Sequence, residues 1–379
     1  MTQIRNVFYQ QFATEPIVIQ SPGRINIIGE HTDYNEGFVL PASIDKSIYV
    51  AISKREDQQI HLFSSNYQEH IEIALADIRP NQNWSTYILG VVDQVQKKGH
   101  HLSGFNLVLD GDVPIGAGLS SSAAVECAVV FALNELFGLG ISKLEMVQIA
   151  QKAEHTFSGV LCGIMDMFAS MFGQQDQVIK LDCRSLDYTY KPLVLDGYKL
   201  VLFNTNVKHS LASSAYNTRR QECEQGVNWV QQKYPEVKSL RDVNRQMLQE
   251  LVAPKDQQVY RRCNYVVSEI ERLQQACDDL ERGDLLALGQ KMFQTHQGLS
   301  NDYEVSCKEL DFLVDEVKTQ NAVLGARMMG GGFGGCTLNL VKEEFITEIS
   351  EKLYQSYQQK MGLELSTYIV TTAPGTHRL

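Results

Sequence analysis

The chain has 379 residues, of which 44% are hydrophobic and 21% are charged, and its formal net charge is −11. This composition is typical of a globular protein, and the length predicts two domains. The acidic charge argues against nucleic acid or an anionic membrane as a partner, because both need a basic face. It does not exclude a phosphorylated ligand, since a helix N-terminus binds an anion through its own unpaired N–H groups and dipole.

The eight cysteines are scattered and form no C-x-x-C pair, which disfavours a zinc site. No stretch reaches the ~18 apolar residues of a membrane helix, and the first residues lack the apolar core of a secretory signal. We therefore expect a cytoplasmic protein with reduced cysteines. The acidic balance suggests no obvious partner. No sequence feature indicates an oligomeric state, and we expect a monomer.

Strands and helices are both predicted in the first half of the chain. Segments with β-branched, alternating character predict strands, namely EPIVIQSPGRINII, GFVLPASI, KSIYVAIS, QIHLFSS and FNLVLDGDVP. WSTYILGVVDQVQKKG predicts a helix, and a second helix is expected to begin near Ser120 and to stop at Gly138. Ser142 and Glu145 have the spacing of a capping box, which predicts a helix that runs to about His155. CGIMDMFASMFG predicts a further helical piece.

The second half begins with two predicted strands, QVIKLDC and YKLVLFNTN, and then becomes polar and helical. Helices are predicted near 213–232, 256–282, 283–297 and 343–361. GARMMGGGFGGCTLNLV predicts a glycine loop that leads into a strand, and STYIVTTAP predicts the last strand. We place one domain in residues 1–195 and the other in residues 196–379. No linker rich in Pro or Ser separates them, so we expect them to pack closely.

The segment PIGAGLSSS, residues 114–122, has the character of a phosphate-binding loop. Gly116 and Gly118 permit unusual backbone conformations and let a bulky anion approach the backbone N–H groups. The helix that begins near Ser120 would direct its positive end at this anion, and the serine hydroxyls could donate hydrogen bonds or bind a metal. The segment is not a Walker A loop. By itself it is more often a glycine turn followed by an N-cap.

Two other segments can carry chemistry. GGGFGG, residues 330–335, has five glycines in six positions. So many glycines cost conformational entropy on folding, which indicates that another backbone or a ligand approaches this segment closely. A flexible hinge is the alternative interpretation. SPGRINIIGEHTDYNEG, residues 21–37, places charged residues beside apolar strand-like stretches, where burial is costly unless they are paired or bound to a ligand. Its carboxylates and histidine could converge on sugar hydroxyls. A charged turn is an equally good interpretation of this segment alone.

In their order and wording, the three segments resemble the three motifs of the GHMP small-molecule kinases, and GRINIIGEHTDYN resembles the galactokinase signature. Mevalonate and homoserine kinases share the two glycine motifs but lack EHTDYN. The resemblance also covers GFVLPASI, AEHTFSG, CGIMD and HSLASSAYNTRRQEC, so it spans nearly the whole chain. It implies the two-domain α+β fold of GHMP kinases, in which the C-terminal domain has a ferredoxin-like core and the active site lies in the cleft between domains.

The resemblance also implies roles for individual residues. ATP would bind on the loop formed by Gly116, Ala117, Gly118, Leu119, Ser120, Ser121 and Ser122. Mg²⁺ would be bound by Ser122 and by Glu154 of the A-E-H segment, which fits the preference of this ion for oxygen ligands and few carboxylates. The catalytic pair would be Asp166, from G-x-M-D, and Arg24. The sugar would be bound by Glu30, His31, Thr32, Asp33, Gly163 and Tyr216.

The implied reaction is the ATP-dependent phosphorylation of the C1 hydroxyl of α-D-galactose, the entry step of galactose metabolism by the Leloir pathway. Asp166 would accept the proton of that hydroxyl and Arg24 would pair with Asp166, while positioning and electrostatics supply most of the catalysis. The alternative that Asp166 is mainly an electrostatic anchor stays open. Two other functions also stay open: a kinase for a related sugar such as N-acetylgalactosamine or arabinose, and a galactose and ATP sensor without catalysis. The intact serine loop disfavours the sensor.

Two residues depart from the galactokinase pattern. Met167 occupies a position where galactokinases usually have Gln, and Met329 precedes the glycines where Thr is frequent. On a helix, Met167 would point about 100° away from Asp166, so we expect it to lie behind the site rather than in it. Both departures leave the rate and the sugar preference open.

Overall fold

The computed structural model of the protein describes residues 2–207 and 212–379. The α-helices are α1 (Thr2–Phe12), α2 (Thr86–Lys97), α3 (Ser121–Phe137), α4 (Lys143–Ala153), α5 (Met165–Phe172), α6 (Ala212–Gln231), α7 (Arg245–Leu251), α8 (Gln257–Glu281), α9 (Leu285–Asn301), α10 (Lys308–Lys318) and α11 (Ile346–Met361). The strands are β1 (Ile17–Asn26), β2 (Phe38–Val39), β3 (Pro41–Lys54), β4 (Gln59–Ser64), β5 (Glu69–Ala74), β6 (Phe105–Gly111), β7 (Gln177–Asp182), β8 (Tyr188–Pro192), β9 (Tyr198–Asn204), β10 (Val323–Met328), β11 (Cys336–Lys342), β12 (Ser366–Val370) and β13 (His377–Arg378).

The larger sheet has the strand order β13-β1-β3-β6-β4-β5 and is antiparallel except for the β4–β6 pair. Helix α3 packs against β1 and β3. Because α3 is apolar on most of its faces, it is buried in the core rather than amphipathic on a surface. Its burial fixes the start of α3, where the serine loop ends, against strand β1.

The second sheet has the antiparallel order β10-β11-β9-β12. Along the chain, helices separate β9 from β10, β11 follows β10 directly, and α11 connects β11 to β12. This is the β-α-β-β-α-β order of a ferredoxin-like core. The glycine motif forms the connection between β10 and β11, so it lies at one end of this sheet.

The chain crosses between the two sheets more than once. A small sheet, β2-β7-β8, joins the segment after β1 to the segment after α5. Strand β13 returns to the first sheet, where Arg378 pairs with Ile19 of β1. The division of the chain at residue 195 stays a prediction.

Most sequence-predicted elements are present with bounds that differ by a few residues. Helix α3 begins at Ser121 and stops at Gly138, which is left-handed as a C-terminal glycine usually is. The predicted capping serine is confirmed, because Ser142 accepts a hydrogen bond from the backbone N–H of Glu145 at 3.3 Å. Helices α1, α7 and α10 and strands β5, β8, β10 and β13 were not expected. The two-residue strand β13 exists through its pairing with β1, whereas α10 has apolar residues at helical spacing, Leu310, Leu313, Val314 and Val317.

No helix within residues 2–207 and 212–379 combines the length and the apolar character that crossing a membrane would require.

Candidate active site

A cavity of about 320 Å³ lies where the first motif, the start of α5, the beginning of α6 and the glycine loop meet. The volume is at the lower end of the range for small-molecule sites. Its walls carry the following residues: Arg24, Glu30, His31, Asp33, Ser122, Glu154, Val160, Cys162, Gly163, Met165, Asp166, Met167, Tyr216 and Gly330–Gly332. The three motifs singled out in the sequence therefore converge on one cavity.

Arg24 and Asp166 form a two-point ion pair in this cavity. Nε of Arg24 lies 2.8 Å from Oδ1 of Asp166, and Nη2 lies 3.1 Å from Oδ2. The arginine is 3% exposed and the aspartate 27%, so the carboxylate is the member of the pair that an incoming ligand can reach. Such a forked pair fixes the carboxylate in one orientation.

A bulge in β1 sets the position of Arg24. The pairing of β1 with β3 shifts between Pro22 and Arg24, and bulges of this kind re-aim side chains next to functional sites. After the bulge, the N–H of Arg24 donates to the carbonyl of Leu119 at 3.2 Å, and Nη1 of Arg24 donates to the carbonyl of Gly118 at 2.6 Å. Arg24 thus connects the serine loop to Asp166.

The serine loop leaves the first N–H groups of α3 without a side-chain cap. Ser120 is the residue before the helix, but its side chain accepts no capping hydrogen bond. Instead its hydroxyl donates to Oδ2 of Asp166 at 2.5 Å. The free N–H groups and the dipole of a 17-residue helix form a favourable anion site.

The glycine loop packs directly on the serine loop. A β-carbon at Gly335 would lie 3.2 Å from the carbonyl carbon of Ala117, and one at Gly330 would lie 3.1 Å from the carbonyl oxygen of Gly118. Both glycines also have left-handed φ values, +80° in each case. The close backbone approach that five glycines indicated is therefore present, and it joins two of the motifs.

Glu30 and Asp33 bring two carboxyl groups of the first motif to the cavity wall. Burial would raise the pKa of Glu30, but the charges of Arg327 and Arg24 and a hydrogen bond from Gly330 outweigh it and lower the pKa. Asp33 lacks such cations; burial, with the charge of Asp166 in addition, raises its pKa to about 7. The two carboxyls therefore differ in protonation near neutral pH.

Gly163 lies against Asp33. A β-carbon at position 163 would be 1.9 Å from Oδ2 of Asp33, a distance that no side chain tolerates. The glycine lets Asp33 occupy its place in the cavity, which explains why a glycine precedes the M-D pair by two residues.

His31 is part of an aromatic cluster with Tyr34, Tyr216 and Tyr303. Its Nδ1 is 2.8 Å from the hydroxyl of Tyr34, which in turn is 2.7 Å from the hydroxyl of Tyr303. Tyr216 packs on His31 with ring centroids 5.3 Å apart. Burial lowers the pKa of His31 to about 4, so the imidazole is neutral. Its buried Nε2 lies close to the backbone of Gly331 and makes no hydrogen bond of normal geometry among the described residues.

Thr32 differs from the other predicted sugar-binding residues. It is fully buried, and its hydroxyl donates to the carbonyls of Gly29 and Phe38 at 2.9 and 2.5 Å. These bonds close the turn that carries Glu30, His31 and Asp33, so the Thr32 side chain supports the turn instead of facing the cavity.

Ser122 and Glu154 lie together on the wall of the cavity. Glu154 opens a π-helical turn, Glu154–Ser158, and such turns often occur at functional sites. Burial raises the pKa of Glu154, although hydrogen bonds from Ser158 and Ser122 lower it. The buried side chain of Glu126, one turn after Ser122 on α3, has no hydrogen-bond partner for either oxygen among the described residues, and burial beside the charge of Glu154 raises its pKa well above its usual range.

A second cavity, of about 150 Å³, lies beside the serine loop, and no sequence pattern indicated it. Ile115, Ser121 and Ser122 line it together with Tyr67 and Trp84, whose rings are stacked 6.5 Å apart. Aromatic rings in a cavity next to a phosphate loop suit a flat base. Tyr67 and Trp84 are far from the motifs in sequence, and no local pattern distinguishes them from ordinary core aromatics.

Met167 lies behind the site, as its helical position predicts, because it is 1% exposed and belongs to the hydrophobic core. It also borders the main cavity next to Met165 and Asp166. Met329 is fully buried, and its N–H donates to Cys336 at 3.0 Å.

Three family descriptions match the sequence. Residues 86–174 match the GHMP kinases N terminal domain, residues 276–359 match the GHMP kinases C terminal domain, and residues 6–54 match the galactokinase galactose-binding signature. Among solved structures, a mevalonate kinase superposes with a TM-score of 0.65 at 17% identity, over 94% of this chain and 98% of that one. At this identity the likeness concerns the fold alone, which is that of the GHMP kinases.

Proteins with higher sequence identity to this chain identify its family within the GHMP kinases. The galactokinase of Thermotoga maritima is 42% identical over 361 residues, or 95% of this chain and 99% of that protein. The galactokinase of Clostridium acetobutylicum is 39% identical over 383 residues, which cover 100% and 97% of the two chains. A Lactococcus lactis galactokinase, solved in complex with galactose, has a TM-score of 0.95 and 34% identity, covering 100% of this chain and 99% of that one. The chain belongs to the galactokinase family.

Proposed function

We propose that the protein transfers the γ-phosphoryl group of ATP to the C1 hydroxyl of α-D-galactose and releases galactose 1-phosphate and ADP. The observation that carries this proposal is the forked Arg24–Asp166 pair at 2.8 and 3.1 Å, in a cavity that Glu30, His31 and Asp33 also line. Arg24 and Asp166 can act on a hydroxyl group, and Glu30, His31 and Asp33 can bind a polyhydroxyl compound. Galactokinases with 38–42% identity over nearly the whole chain support the same reaction.

The catalytic step is assigned to Asp166 and Arg24. Asp166 accepts the proton of the C1 hydroxyl while that oxygen forms its bond to the γ-phosphorus, and the bond from phosphorus to the β-γ bridging oxygen breaks. Arg24 keeps the carboxylate oriented and, from its contact with Gly118 in the serine loop, adds positive charge near the phosphates. If Asp166 acts mainly through its charge, the same geometry serves the reaction by electrostatic stabilisation.

Sugar binding is assigned to Glu30, His31, Asp33, Gly163 and Tyr216. Carboxylates accept hydrogen bonds from sugar hydroxyls, and the neutral imidazole of His31 can donate or accept one through Nε2. The ring of Tyr216 covers the same part of the cavity. Thr32 belongs to this set through the turn that it stabilises.

ATP binding is assigned to the loop from Gly116 to Ser122, with its base in the cavity beside Tyr67 and Trp84. Support comes from the uncapped start of α3 and from the position of Ser121 and Ser122 on the wall of that second cavity. The base and the phosphates would thus lie on opposite sides of Ser122, and the γ-phosphate would enter the main cavity near Asp166.

Ser122 and Glu154 are suited to hold Mg²⁺. Both offer oxygen ligands on the wall of the main cavity. The raised pKa values of Glu154 and of the buried Glu126 behind it show how costly a bare negative charge is here, so a cation would favour the ionised carboxylates. Among the described residues no group of three or more His, Cys, Asp or Glu is arranged to hold a metal, so phosphate oxygens would complete the coordination. When bound, the ion neutralises charge on the phosphates.

We also propose that the protein is a cytoplasmic monomer with domains in residues 1–195 and 196–379. The eight cysteines are free, and five of them lie within the cores of the fold, at Cys127, Cys223, Cys263, Cys277 and Cys336. Free thiols are the usual state of cysteine in a reducing compartment.

The decisive experiment measures ADP release by the purified protein with ATP, Mg²⁺ and a panel of sugars. We expect galactose to give the largest kcat/KM. Turnover of N-acetylgalactosamine or arabinose without turnover of galactose would replace this proposal by that of a related sugar kinase. Binding of galactose and ATP without ADP release would identify a sensor.

A further inference from the structure

Arg327, on strand β10, is fully buried and directs its guanidinium at the first motif. Its Nε donates to the carbonyl of Ile27 at 2.9 Å, and its Nη2 donates to the carbonyl of Asn26. Both acceptors lie at the end of β1, just before Glu30. An arginine of the second sheet thus holds the segment of the first sheet that carries the proposed sugar-binding residues.

The same guanidinium contacts the carboxylate of Glu30, which is 2% exposed. Oε1 of Glu30 accepts from Nη2 of Arg327 at 3.0 Å and from the N–H of Gly330 at 2.9 Å. Oε2 takes no hydrogen bond within the described residues, and Glu30 lines the cavity. One oxygen is therefore held by the protein while the other is left for a ligand.

The ionised form of the Glu30 carboxylate also depends on the positive charge of Arg327. A buried carboxylate without a cation is costly, and Arg327 is the cation in direct contact with Glu30. A lysine could replace the charge but not the fork, because its single ammonium cannot contact Glu30, Asn26 and Ile27 in the same planar arrangement.

We propose that Arg327 is a positioning residue for the sugar: it holds Oε1 of Glu30 so that Oε2 accepts a hydroxyl of galactose, without touching the sugar itself. This inference rests on the proposed function, since it assigns the sugar as the ligand of Glu30. It predicts that loss of the arginine weakens sugar binding while ATP binding, on the far side of Ser122, is retained.

The alternative is that Arg327 only stabilises the fold, as many buried arginines do. Arg262 provides a matched control for this possibility. It is also fully buried, it pairs with Glu304 at 2.6 Å and donates to the carbonyl of Asp302, and it does not line the main cavity. Substituting it removes a similar network without touching Glu30.

The experiment compares full-length Arg327→Lys and Arg262→Lys with the wild type, with KM for galactose and KM for ATP measured separately and thermal unfolding measured in parallel. We expect Arg327→Lys to raise KM for galactose about ten- to hundredfold, the usual effect of a hydrogen bond to a charged group. We expect its KM for ATP, and both constants of Arg262→Lys, to stay within about threefold of wild type. In a Glu30→Gln background, Arg327→Lys should add less than about threefold.

Three results would overturn the inference: a parallel rise of both KM values in Arg327→Lys, the same galactose defect in Arg262→Lys, or full additivity with Glu30→Gln. If Arg327→Lys does not fold, the affinity of Glu30→Gln for galactose is measured instead by titration calorimetry. An affinity equal to that of the wild type would show that Oε2 of Glu30 does not bind the sugar, and it would overturn the inference. A wild-type protein that releases no ADP with galactose would instead refute the proposed function.

Discussion

The hydroxyl of Ser120 lies 2.5 Å from Oδ2 of Asp166 and donates to it, although Ser120 is the residue that precedes helix α3. A serine at this position ordinarily accepts a hydrogen bond from the helix N-terminus. Here the bond is made to the proposed catalytic carboxylate, so the loop assigned to ATP and the group assigned to the sugar hydroxyl are in direct contact. Binding of one substrate can therefore affect the group that acts on the other.

Ser120 also has a left-handed backbone, with φ of +58°, which lets two variants separate the hydroxyl from the backbone. Ser120→Ala and Ser120→Gly both remove the bond to Asp166, but only alanine retains the cost of a β-carbon in this conformation, about 1 kcal/mol. We expect kcat to fall about tenfold in both variants. In urea unfolding, we expect Ser120→Gly to be more stable than Ser120→Ala by about 1 kcal/mol. A loss of kcat confined to the alanine variant would attribute the effect to backbone strain.

Asp166→Asn tests the proton acceptor. Asparagine keeps the size of the side chain but loses the charge that faces Arg24, and its amide is a poor base. We expect kcat to fall by about 10²–10⁴, the range of general acid–base catalysis, when ADP release is measured at saturating galactose and ATP. The matched control is Asp187→Asn, an exposed position, which should leave kcat unchanged. Turnover of Asp166→Asn within about tenfold of wild type would contradict a base role.

Gly163→Ala tests the contact with Asp33. The new β-carbon would lie 1.9 Å from Oδ2 of Asp33, and the backbone at position 163 is not left-handed, so the collision is the main consequence. We expect Asp33 to be displaced and KM for galactose to rise at least about tenfold. Gly140→Ala serves as control, because its φ of +69° makes alanine strained while nothing lies within 4 Å. It should lower stability and leave KM unchanged; an equal KM effect in both variants would count against the assignment of Asp33.

The pKa of Asp33 predicts a dependence of stability on pH. Burial and the charge of Asp166 raise this pKa from 3.8 to about 7, so between these values the folded protein retains a proton that the unfolded chain releases. The contribution of Asp33 to the free energy of unfolding therefore falls as pH rises from about 4 to about 7. His31 acts in the opposite direction, because burial lowers its pKa from 6.5 to about 4 and its contribution rises over that window.

The variant Asp33→Asn removes the pH dependence that Asp33 contributes to the free energy of unfolding and leaves that of His31. Relative to wild type, the variant should become progressively more stable between pH 4 and 7, with no further relative change above pH 8. Urea unfolding of the ligand-free proteins at several pH values measures the difference, and Asp187→Asn should run parallel to wild type throughout. A constant difference between Asp33→Asn and wild type across this range would show that the pKa of Asp33 is not raised.

Local sequence was sufficient for features that depend on neighbouring residues. The serine loop, the start of α3 at Ser121, its stop at Gly138 and the cap at Ser142 all follow from residue types within one turn of the chain. Strand β13 was missed because two residues carry no pattern, whereas α10 has apolar residues at helical spacing and could have been predicted. The orientation of the Thr32 side chain could not be predicted, since the direction of a side chain in a turn depends on what packs around it.

What the sequence by itself determined is the set of parts: two glycine-rich loops, a charged turn after a strand, and the resemblance that joins them to one kinase family. Only the tertiary structure decided which parts meet. Arg24 and Asp166 are 142 residues apart, and Glu30 accepts from Gly330 across 300 residues. Periodicity indicates that a residue is buried but not what it is buried against, and the partner is set by how the two sheets come together. That is why Arg327, which no sequence pattern singled out, is found only in the structure as the cation that holds Glu30.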